Sequence, residues 1–90
     1  MRELAVAQKD VWDEQGNPHT YSYSILIGEI EFQEGFFCES YGVRIEESGG
    51  ESGEIPNVTV SISRIDDLID LLLRNTVTPC TLRDVVEDWL

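Results

Sequence analysis

Histidine occurs once in these 90 residues and cysteine twice, and six lysines and arginines stand against eighteen aspartates and glutamates. Each scarcity excludes something. His19 has no second imidazole to work with, so a two-histidine metal motif is ruled out. Cys38 and Cys80 form no CxxC pair, and two well-separated thiols read as a reduced cytosolic pair. A net charge of −12 argues against nucleic-acid phosphates and anionic lipid headgroups as ligands, because both are recognised by lysine and arginine patches. No nucleic acid and no membrane are therefore expected as partners. No apolar run approaches the roughly 18 residues needed to span a bilayer. The start of the chain, MRELAVAQKD, meets Gln8, Lys9 and Asp10 too early to hold the apolar core of a signal peptide. These features read as a cytoplasmic protein.

The motifs of enzymes are missing too. There is no GxSxG and no glycine-rich loop ending in Lys-Ser or Lys-Thr, and Gly49-Gly50 lies in an acidic stretch that repels phosphate. An enzyme would need a carboxylate pair in a cleft, and 90 residues with four strands offer little room for one. The chain is expected to be non-enzymatic, without cofactor or metal.

What is present is hydrophobic patterning. Tyr21, Tyr23, Ile25 and Ile27 alternate with Ser22, Ser24, Leu26 and Gly28, the strongest strand signal in the chain. Beyond Gly28 the apolar positions change parity to Ile30 and Phe32, and a bulge or twist at Gly28-Glu29 would account for it. A strand over about 3–12 precedes, with Leu4, Val6 and Trp12 facing inward, and Asp13 to Pro18 form a turn. Gln33-Glu34-Gly35 is a hairpin turn into a third strand over about 36–46, with Phe37, Tyr41, Val43 and Ile45 on one face. EESGGESGE at 46–54 reads as a mobile acidic loop. Val58, Val60 and Ile62 alternate in a fourth strand over about 57–62.

Two helices close the chain. Ile65, Leu68, Ile69 and Leu72 fall at i, i+3, i+4 and i+7 in a helix over about 64–75, which Ser63 would cap, with Asp66 and Asp67 in its first turn. Leu82, Val85, Val86 and Trp89 repeat the spacing over about 79–89. Here the start is either Thr78 ahead of Pro79, or Thr81 with Asp84 three residues on. Arg83 and Glu87 sit four apart on the polar face. A joint of four residues, Asn75–Thr78, folds the helices into a tight hairpin or sharp corner. Strands first and helices last predict a single α+β domain. Its three- to four-stranded, mainly antiparallel sheet carries both C-terminal helices on one face.

YGVRIEE at 41–47 and TPCTLRDVVEDWL at 78–90 resemble a family of small bacterial proteins, found among Firmicutes, that is known as a domain of unknown function. The second match runs through Pro79, Leu82, Asp84, Val85, Val86, Glu87, Asp88, Trp89 and Leu90. The resemblance implies a bacterial cytosolic setting and no activity.

Three functional readings follow. The first is a protein-interaction or regulatory module that contacts another protein or forms a homodimer. Its contact would be an exposed sheet edge or the acidic-aromatic end made by Trp89, Leu90, Asp84, Glu87 and Asp88. The second is an acidic decoy that occupies a nucleic-acid-binding protein. The third is a small-ligand or metal site at Asp66 and Asp70, which share a helix face but lack the six or more oxygens that calcium takes.

Overall fold

The computed structural model describes residues 1–90. Four strands, β1 (Arg2–Trp12), β2 (Pro18–Gln33), β3 (Phe36–Glu47) and β4 (Ser52–Thr59), are followed by α1 (Ile62–Arg74) and α2 (Leu82–Trp89). The sheet is an antiparallel meander in the order β1-β2-β3-β4, and both helices pack on one face. The expected α+β domain with its helices on one side is what the chain forms.

Simple lengths explain the shape. At about 3.4 Å per residue, the sixteen residues of β2 match the 54 Å long axis of a molecule only 24 by 18 Å across. The thirteen residues of α1, at about 1.5 Å each, cover roughly 20 Å of it. β1 pairs β2 only as far as Arg2 opposite Ile27. From Gly28 onward β2 and β3 therefore continue alone, a two-stranded arm reaching past both β1 and the helices.

This arm accounts for the change of parity after Gly28. Tyr21, Tyr23 and Ile25 point to the helices and are buried, as are Tyr41, Val43 and Ile45 on β3. In the arm no helix lies above that face. Alternation puts Glu29, Glu31 and Glu39 on it and turns Ile30 and Phe32 to the opposite side. No bulge lies at Gly28-Glu29, since their pairing with Ser40 and Glu39 is continuous. The register shifts fall at Ala5/Ala7, Glu31/Gln33 and Tyr41/Val43 instead.

Three other expectations are corrected. The acidic stretch 46–54 is a hairpin rather than a long loop: β3 runs to Glu47 and β4 starts at Ser52, closed by Glu47 N–H donating to Glu51 O at 2.8 Å. β4 consequently spans 52–59, not 57–62. Ile55 packs on the core, while Val60 and Ile62 are exposed. On β1, Trp12 is exposed and Val6 sits at the bulge, so that Val11 takes the inward role.

The far face is covered at its centre by β4. Two residues of β3 are spanned by four of β4, with Asn57 at φ 56° in the extra pair. This excursion passes so close to Gly42 that a β-carbon there would overlap Ile55 O and lie 2.6 Å from Pro56 Cα. Leu26 and Ser40, on that face, are buried.

Helix α1 begins one turn's fraction earlier than its apolar pattern suggests. Ser61, not Ser63, is the cap: its hydroxyl accepts from Arg64 N–H at 3.3 Å. Asp66 and Asp67 thus fall in the second turn. At the other end Thr76 N–H donates to Leu73 O and Val77 N–H to Leu72 O, a Schellman closure with Thr76 at φ 48° where glycine is usual. Lys9 secures it, its Nζ donating to Leu73 O at 2.7 Å and to Thr76 Oγ1 at 2.6 Å. A cation from β1 thereby sits at the negative end of the helix dipole. α2 starts after Thr81, whose side chain caps no helical N–H. Thr81 closes the preceding turn instead, with its hydroxyl 3.0 Å from that of Thr78. Arg83 and Glu87 form no ion pair; the i,i+4 pair in the structure is Asp70–Arg74, at 3.4 Å.

Candidate functional site

Polar side chains gather in two places on the sheet. At one end His19 is held from both sides, with Nδ1 2.5 Å from Glu47 Oε1 and Nε2 3.1 Å from Asp13 Oδ2. The first turn creates this arrangement, because Asp13 also accepts from the N–H groups of Gln15 and Asn17, both at 2.9 Å. The imidazole stacks on Tyr21, with planes 8° apart. With a carboxylate at each nitrogen the imidazolium is favoured, and the His19 pKa is raised, chiefly by Glu47. His19 in turn holds the Asp13 carboxyl down at about 2. On the far face Arg44 is shared by Glu46, Glu3 at 4.0 Å and Glu54 at 3.8 Å. These groups satisfy one another across neighbouring strands. No group of three His, Cys, Asp or Glu side chains converges on a point where a metal ion could sit.

Cys80 lies exposed in the turn before α2 and donates its thiol to Glu51 Oε2 at 3.1 Å. That carboxylate pushes its pKa up, the opposite of what a helix N-terminus would do.

The sequence-predicted residues at the C-terminus are distributed unevenly. Asp84, Glu87 and Asp88 are exposed on α2, and Leu90 is 72% exposed. Trp89 is half-buried against the core, with the Arg64 guanidinium 4.3 Å above its ring centroid. Asp66 and Asp70 are exposed on α1.

The exposed apolar surface is concentrated at the other end of the molecule. Phe32, Phe36 and Phe37 on the arm are 60%, 60% and 59% exposed, with Phe32 and Phe36 tilted together at 6.2 Å between ring centroids. Where the arm joins the body, α1 does not cover the sheet. Leu4, Ile25, Ile27 and Tyr41 meet Ile62 and Ile65 of its first turn across a groove of about 410 Å³. Arg2, Glu39 and Asp66 form the groove's polar rim, where Arg2 donates to Glu39 at 2.7 Å. The arm's phenylalanines were individually visible in the sequence, but their exposure depends on the arm extending beyond the layers that cover the rest of the sheet.

A family model described as a family of unknown function, DUF6514, matches residues 2–90, and the chain belongs to that family. No curated protein and no solved structure matches it.

Proposed function

We propose that this member of the family is a non-enzymatic protein-contact module of the bacterial cytosol. Its contact surface is the arm end of the molecule rather than the Trp89–Leu90 end. The observation that carries this is the exposed pair Phe32 and Phe36, with ring centroids 6.2 Å apart, while Phe37 lies exposed on the other face of the arm opposite Glu31. An exposed apolar cluster of this kind is characteristic of an interaction surface. The arm is only two strands wide, and a ribbon of that width gains stability when a further layer covers its apolar side. Trp89 is already engaged by the core and by Arg64, which leaves Leu90 and a few carboxylates as the offering of the other end.

Three of the shifted titratable groups also favour a contact role over catalysis. His19, Asp13 and Arg44 sit in ion pairs on the sheet and its first turn rather than lining the groove. A nucleic-acid decoy is less well supported, because Arg2, Arg44 and His19 engage many of the sheet's carboxylates.

The test is the double substitution Phe32→Ser with Phe36→Ser, far from the core. The circular dichroism spectrum and urea midpoint should stay near wild type. Self-association in sedimentation, or retention of a stoichiometric protein from bacterial lysate, should be lost. A variant that keeps every contact of the wild type would refute the arm as the surface.

A further inference from the structure

The groove beside the arm has a chemistry specific enough to define its occupant. Its floor is apolar, from Leu4, Ile25, Ile27, Tyr41, Ile62 and Ile65. Arg2, Ile27 and Glu39 also line an adjoining depression of about 200 Å³ that reaches Glu29, so the groove continues onto the acidic face of the arm. There Glu29 sits directly opposite Glu39 in the β2–β3 register, and alternation places Glu31 on the same face. Like charges opposite one another on a sheet destabilise it. Arg2, through Glu39, is the cation that offsets them. Asp66 adds a further carboxylate on the opposite rim. An apolar floor with a carboxylate margin calls for apolar anchors flanked by cations.

We propose that this groove receives a basic amphipathic segment of a protein partner. Two or three apolar side chains would lie on the groove floor, and lysines or arginines would lie against Glu29, Glu31 and Asp66. The proposal rests on the reading of the arm end as the contact surface and names the partner's chemistry. A volume of about 410 Å³ is in the range that buries such anchors, and a helix laid in a groove presents them at i, i+3 or i+4, and i+7. A second copy of the chain is disfavoured here: each brings a net charge of −12, and two acidic arm faces would be set against each other.

The probe is a fluorescent lysine-leucine peptide of about four helical turns, read by anisotropy against the intact protein. Two controls accompany it: the same composition in scrambled order, and a glutamate-for-lysine version. The ordered basic peptide should bind at least roughly ten-fold tighter than either control. Leu4→Ser with Ile62→Ser, both at surface-exposed positions, should weaken it by about ten-fold or more. Glu29→Gln with Glu31→Gln should weaken it several-fold at low salt and flatten its salt dependence. Asp84→Asn with Asp88→Asn, on α2, should leave it within about two-fold. Equal binding of the scrambled peptide, or an equal loss with the α2 pair, would reduce the effect to general attraction by an acidic protein and overturn the proposal. Peptide binding absent while the Phe32/Phe36 variant still loses a lysate partner or self-association would overturn the partner's chemistry and leave the contact surface standing.

Discussion

The Tyr23 hydroxyl donates to the Val77 carbonyl at 2.9 Å, tying the centre of the sheet to the joint between the two helices. Tyr23 is fully buried and Val77 is 5% exposed, so no water replaces either partner at little cost. Tyr23→Phe keeps the ring and its packing but strands a buried acceptor. The expected loss is about 1–2 kcal/mol of unfolding free energy, read as a lower urea midpoint at unchanged slope. A loss below a few tenths would mean that Val77 O is solvated.

The His19 clamp makes stability depend on pH in two directions. The raised His19 pKa means that the folded state holds this proton more tightly than the unfolded chain. Its contribution is fully present below the ordinary histidine value of 6.5 and is lost as pH rises through the folded value. Asp13 is lowered from 3.8 to about 2. Its contribution is present above 3.8 and is lost as pH falls toward 2. Both are intact between roughly pH 4 and 6.5. The difference in melting temperature between wild type and His19→Gln should be largest in that window and shrink toward pH 8 to 9. A difference that stays flat with pH would show that His19 binds its proton equally tightly in the folded and unfolded chain.

Periodicity made the core legible. The stripes Tyr21–Tyr23–Ile25, Tyr41–Val43–Ile45 and Ile65–Leu68–Ile69–Leu72 all lie where alternation and helical spacing put them. What periodicity could not show is where one layer stops covering another. The shift to Ile30 and Phe32 was apparent in the sequence. Its cause, however, is the mismatch between a sixteen-residue strand and a thirteen-residue helix, not a local backbone irregularity. The same holds for the acidic stretch 46–54: composition indicated solvent exposure, which two paired strand ends can also satisfy. Ser63 was the cap expected from the sequence, and the backbone geometry and hydroxyl of Ser61 give that place to Ser61 instead. The candidate groove was the least legible feature, because Leu4 and Ile62 meet only through the fold.

Gly42 and Gly28 provide a paired test of the β4 excursion. A β-carbon at Gly42 would overlap backbone atoms of Ile55 and Pro56, which cannot rotate away as a side chain would. At Gly28 the nearest atom is 3.8 Å off, on the Asn57 side chain. Gly42→Ala should therefore cost about 2–3 kcal/mol through displaced backbone, whereas Gly28→Ala should change stability by less than about 0.5 kcal/mol. Thermal unfolding of the two variants side by side gives the comparison. Similar melting temperatures would mean that β4 does not cross Gly42 this closely.

Trp89 separates a structural role from a docking role at the C-terminal end. It packs on the core between the helices with Arg64 over its ring, so removing it should first be felt as instability. Trp89→Ala is expected to cost about 2–3 kcal/mol, less than a fully buried tryptophan would. Arg64→Ala should cost about 0.5–1 kcal/mol through the lost cation–π contact and the packing of its stem. Leu90→Ala, at an exposed position, should stay within about 0.5 kcal/mol. Tryptophan fluorescence during urea unfolding follows the first of these contacts directly. The other tryptophan, Trp12, is 68% exposed, so a Trp12→Phe background isolates the Trp89 signal. If Trp89→Ala leaves the midpoint unchanged but abolishes capture of a protein partner, the contact surface belongs at this end and not on the arm.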